Sequence, residues 1–93
     1  MNAEQIVEYA QRERYRVVVT EEMVIEAMSK LSPPFTCHDI AEAIPRDAKG
    51  CFVSEYLVGL WIDDLVRRGR VRWTERWELH IGKPSRNLYE VVS

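Results

Sequence analysis

The sequence predicts a small, mainly helical α+β domain: helices through the first two thirds, then a β-hairpin. Three observations carry this. The chain has 93 residues and no internal repeat or linker-like stretch, which is enough for one domain and not two. Apolar residues recur at helical spacing up to Arg68. After Gly69 the period drops to two, which is a strand signal.

Asn2 is an N-cap candidate, and Ala3, Ile6, Val7 and Ala10 follow at helical spacing with Glu4 near the positive end of the helix dipole, so a first helix is expected over about 3–14. Tyr15–Val19 is β-branched and reads as a short connecting strand or extended chain. Thr20 is the next cap, ahead of a stripe of Met23, Val24, Ala27, Met28 and Leu31. Ser32-Pro33-Pro34 stops that helix, since proline disfavours helical geometry in the residue before it and has no N–H to donate.

Thr36 with Asp39 three residues on resembles a capping box, and Ile40, Ala41 and Ile44 form the apolar side of a short helix ended by Pro45. Ser54 caps the longest helix, about 55–68, with Val58, Trp61, Ile62 and Leu65 on one face. Gly69 is its C-terminal stop. Val71, Trp73, Trp77, Leu79 and Ile81 then share one strand face, the tryptophans as core candidates. Gly82–Asn87 is a loop by composition, and Leu88, Tyr89, Val91 and Val92 return as the second strand.

Thirteen basic and fifteen acidic residues give a net charge of −2, which argues mildly against a dedicated nucleic-acid binder. The distribution is uneven. Residues 1–60 carry six basic and ten acidic groups, whereas residues 61–93 carry seven basic and five acidic. A basic cluster on one element is what phosphate binding needs, whatever the total.

The order of elements from residue 20 onward resembles the winged helix-turn-helix family. The carrying residues are the Pro-Phe-Thr entrance with Cys37–Ile44 as second helix, Ser54–Arg68 as third helix, and Arg68-Gly69-Arg70-Val71-Arg72-Trp73 passing into the first wing strand, with Leu65 at the usual core position. The resemblance implies a three-helix core with a C-terminal hairpin wing over 20–93, preceded by an extra N-terminal helix and connector over 1–19. It also implies binding to double-stranded DNA, as in a small transcriptional regulator, with the third helix in the major groove and the wing on flanking phosphates. The residues this assigns to DNA are Tyr56, Gly59, Arg67, Arg70, Arg72, Arg76, Lys83, Ser85 and Arg86.

The third helix departs from that pattern. With its apolar face inward, it offers Tyr56, Gly59, Leu60, Asp63 and Arg67 outward, and only Arg67 is an obvious DNA-contacting side chain. Leu57 and Leu60 widen the apolar arc, so either the N-terminal helix covers them or a second copy of the chain does, as a homodimer through that helix. The alternative function is a winged-helix module that binds another protein through this helix face and the tryptophan strand.

Other chemistries find little support. Cys37 and Cys51 read as two core thiols, with His38 exposed and His80 on a strand. Cys37, His38, Cys51 and His80 lack zinc-ligand spacing, so no metal is expected. No glycine-rich phosphate loop, H-E-x-x-H or G-x-S-x-G occurs, and Asp63-Asp64 diverge on a helix as a solvated face, so neither an enzyme nor a cofactor is expected. No apolar run spans a bilayer and the N-terminus does not read as a secretory signal, so the expected location is cytoplasmic.

Overall fold

The computed structural model describes residues 1–14, 17–46, 49–80 and 83–92, with residues 75–80 and 83–86 described by backbone alone. Four helices precede a two-stranded antiparallel sheet: α1 (Ala3–Arg12), α2 (Glu21–Ser29), α3 (Cys37–Ala43), α4 (Glu55–Arg67), β1 (Val71–His80) and β2 (Lys83–Val91).

Local chemistry fixes every helix start. The Asn2 side chain accepts from the Gln5 N–H at 2.9 Å and the Gln5 side chain accepts from the Asn2 N–H at 2.9 Å. Thr20 accepts from the Met23 N–H at 3.3 Å. Thr36 and Asp39 exchange the same pair of bonds, each at 3.0 Å, which lets the fully buried Thr36 hydroxyl keep a partner. Ser54 accepts from the Leu57 N–H at 3.3 Å.

The stops differ slightly from the sequence expectation. α1 ends at Arg12 because Arg14 takes a left-handed backbone (φ 54°) and turns the chain. Val17 lies in a bend, and residues 17–19 pair with no strand among the described residues. α4 ends in a Schellman motif, with the Gly69 N–H donating to Val66 O at 3.0 Å and the Arg70 N–H to Leu65 O at 2.9 Å. Gly69 sits at φ +72°, which an L side chain adopts only under strain.

One core joins all the helices. Ile6 and Ala10 of α1, Val24, Ala27 and Met28 of α2, Ile40 of α3, and Leu57, Val58, Trp61, Ile62 and Leu65 of α4 are buried together with Val19, Phe35, Ile44 and Val71. α1 packs on α4, so Leu57 is covered within its own chain. Trp61 ties the connector down: its indole N–H donates to Val19 O at 2.8 Å.

The ribbon is anchored at its base. Val71 pairs with Val91, Arg72 with Glu90 and Trp73 with Tyr89, and the register shifts between Trp73 and Trp77. Phe35 makes an isolated antiparallel bridge to Tyr89, with N–H to O distances of 3.0 and 2.8 Å in the two directions. The two-period face does not hold along β1. Val71 is buried on the helices, but Trp73, expected in the core, is 43% exposed, so the helical core covers Val71 and not Trp73. The expected inward positions of Trp77, Leu79 and Ile81 lie outside the described side chains.

Candidate interaction surface

α4 crosses the domain with Val58, Trp61, Ile62 and Leu65 inward, as its spacing predicts. Its outer side opens beside the start of α3 as a shallow concavity of about 410 Å³, lined by Cys37, Glu55, Tyr56, Gly59, Leu60 and Asp63. A smaller recess of about 190 Å³ continues from it past His38 and Glu55 toward Arg46 and Phe52.

The floor and rim have distinct chemistry. Leu60 is half-buried, Tyr56 is exposed and leans on Tyr9 of α1 (ring centroids 5.8 Å apart), and Gly59 leaves open space where a Cβ would be. The Arg12 guanidinium lies 5.6 Å from the Tyr9 ring. Glu55 and Asp63 are exposed at the rim. His38, expected to be exposed, is half-buried and lies between Glu55 (3.2 Å) and Glu42 (3.9 Å). Phe52 is 75% exposed, with the Arg46 guanidinium 4.2 Å from its ring.

Cys37 reports the potential in this concavity. Burial chiefly, and then the negative charges of Asp63 and Glu55, push its thiol up to about 12 from an ordinary 9.0. The half-buried Tyr89 hydroxyl is also raised, mainly by burial and against a lowering hydrogen bond from Asn87. Cys37 and Cys51 are not joined in a disulfide and are only partly buried, so neither is a full core thiol.

Of the described residues assigned to DNA, Tyr56 and Gly59 border this concavity. Arg67 bonds Asp64 at 3.0 Å and also donates to the Met1 carbonyl. Arg68 pairs with Glu21 at the start of α2 and places its Nε 3.1 Å from the second Asp64 oxygen, without the alignment of a hydrogen bond. Arg72 pairs with Glu90 across the ribbon. Arg70 lines a different recess, between α2 and the ribbon base, and has no carboxylate partner among the described residues. The side chains of Arg76, Lys83, Ser85 and Arg86 lie outside the described residues.

Asp64 corrects the sequence reading. Expected on a solvated face beside Asp63, it is 5% exposed, because the covering arginines come from its own helix three and four residues on. That spacing was present in the sequence and was the signal for it. Among the described residues no group of three or more His, Cys, Asp or Glu is arranged to hold a metal ion, and no described helix is long and apolar enough to cross a membrane. No protein-family model matches the chain, and comparison with curated proteins and with solved structures gives no significant match.

Proposed function

We propose that the chain is a winged-helix domain that binds another protein through the outer face of α4. The order of α2, α3, α4 and ribbon, with the three helices packed on one another and the ribbon base against α4, supports the winged-helix reading. The observation that carries the binding face is Gly59. A glycine inside a helix costs about 1 kcal/mol relative to alanine. Among the described residues, nothing apart from its chain neighbours and the backbone of its own helix lies within 4 Å of where its Cβ would be. The cost therefore has no return within the domain, and close approach by a partner's backbone or side chain would supply one. The rim carboxylates, Glu55 and Asp63, repel phosphate and suit a cationic protein segment.

Gly59→Ala and Gly59→Leu test this. Gly59→Ala should raise thermal stability. Gly59→Leu should retain the far-ultraviolet circular dichroism of the parent, and capture from lysate should lose with it a stoichiometric protein that the parent retains. Asp63→Lys should lose the same protein. A partner held equally by all variants would refute the assignment of the face.

A second reading, a small DNA-binding regulator, is favoured by Arg70, which has no carboxylate partner among the described residues, and by the cationic sequence of the ribbon. It predicts binding to random duplex that falls linearly in log affinity with log salt. Absence of binding at low salt removes it. Salt-dependent binding abolished by joint replacement of Arg70, Lys83 and Arg86 with alanine would favour it over the protein-binding reading.

A further inference from the structure

We propose that the recess between α2, the end of α4 and the base of the ribbon binds a small monocarboxylate with a hydrocarbon body, its head on Arg70. This site is separate from the outer face of α4 and does not rest on the function proposed for that face.

The recess has a volume of about 380 Å³, within the roughly 300–1,000 Å³ typical of small-molecule sites. Its floor is apolar and belongs to the core: Met28, Phe35, Leu65 and Val71 are each 4% exposed or less. Its mouth is apolar too. Ile25, Val91 and Val92 are 37%, 50% and 45% exposed and all line this one opening. Large apolar side chains left in water around a concavity mark a surface that another apolar body would cover.

Arg70 is the only charged residue among the described residues of the lining. Its backbone is clamped on both sides, its N–H donating to Leu65 O at 2.9 Å and its carbonyl accepting from the Val92 N–H at 3.0 Å. The Schellman turn therefore fixes where the guanidinium starts, and no carboxylate among the described residues neutralises it. The one hydroxyl among the described lining residues, that of Ser29, already donates to Glu26 O at 2.6 Å. One cationic fork, with no other unengaged side-chain donor among the described residues of the lining, suits one anionic head and nothing more polar. A carboxylate matches that fork in two parallel bonds, and the remainder of the ligand must be hydrocarbon, since buried polar atoms would go unpaired. Sugars, nucleotides and peptides are disfavoured on the same ground.

The test uses the intact chain with dodecanoate as probe and dodecanol as its headless counterpart, followed by titration calorimetry. Dodecanoate should bind saturably, one per chain, and at least tenfold more tightly than dodecanol. Arg70→Gln should weaken dodecanoate about tenfold and leave dodecanol unchanged, whereas Ile25→Glu, at a position 37% exposed, should weaken both. Absence of saturable binding to the parent overturns the proposal. So does binding that both variants leave intact, which would report non-specific adsorption. Circular dichroism of each variant confirms that a loss of binding is not a loss of fold.

Discussion

Replacing Trp61 by phenylalanine removes one hydrogen bond and part of one ring from the centre of the domain. The indole N–H donates to Val19 O over 2.8 Å, and both residues are 3% exposed or less. Orphaning that carbonyl costs about 1–3 kcal/mol. Losing roughly 40 Å² of ring area adds about 1 kcal/mol at ~25 cal/mol per Å². The sum, about 2–4 kcal/mol, is a large share of the ~5–15 kcal/mol that holds a domain folded. Across 93 residues an unfolding entropy of ~2.1 cal/mol/K per residue turns that into a fall in Tm of roughly 10–20 °C. Urea unfolding followed by circular dichroism measures it, with an unchanged m-value showing that only stability has moved. Trp73→Phe is the control, because Trp73 is 43% exposed on the ribbon and should cost no more than about 0.5 kcal/mol. Equal losses from the two substitutions, or a Trp61→Phe cost below about 0.5 kcal/mol, would refute the assignment of Trp61 as the tie between connector and α4.

Two glycines should respond to alanine with opposite signs although neither has a neighbour within 4 Å of its Cβ position. Gly59→Ala should stabilise by about 1 kcal/mol through helix propensity, and Gly69→Ala should destabilise by about 1 kcal/mol through its left-handed backbone, both read from thermal melts. Asp64→Ala should cost no more than about 1 kcal/mol in urea unfolding, because Arg67 and Arg68 are exposed and Arg68 keeps Glu21. Cys37 should alkylate far more slowly in the native chain than in urea at pH 8–9, since the folded thiol is held up to about 12. Its folded value lies above the unfolded 9.0, so the folded state keeps the proton longer. Its stabilising contribution is complete below pH 9 and is lost as pH rises toward 12, and Cys37→Ala should flatten that alkaline decline in urea midpoints.

The parts of this fold that depend on neighbours within a few residues were legible in the sequence. Asn2, Thr20, Thr36 and Ser54 cap helices because the atoms they bond belong to residues three positions on. The inward face of α4 follows from spacing alone. What escaped depends on contacts between distant segments. Nothing local says that the helices cover Val71 but not Trp73, so Trp73 looks like core until the ribbon is seen against the helices. Leu57 could be covered by α1 or by a second chain, and only the packed structure shows it buried within its own chain, with α1 on α4 and Val7 of α1 left exposed. The candidate surface divides in the same way. Tyr56 and Gly59 were placed by helical spacing, whereas the pairing of Arg67, Arg68 and Arg72 with Asp64, Glu21 and Glu90 required knowing which elements meet.

The reciprocal pair of bonds between Phe35 and Tyr89 makes the hairpin a lever with a fixed fulcrum. Any swing of its outer end must pivot beyond Tyr89, and releasing the inner end unzips the α2–α3 loop in the same event. The two amides should therefore trade hydrogen for deuterium at a common rate, and that rate times how often ribbon and helices part company.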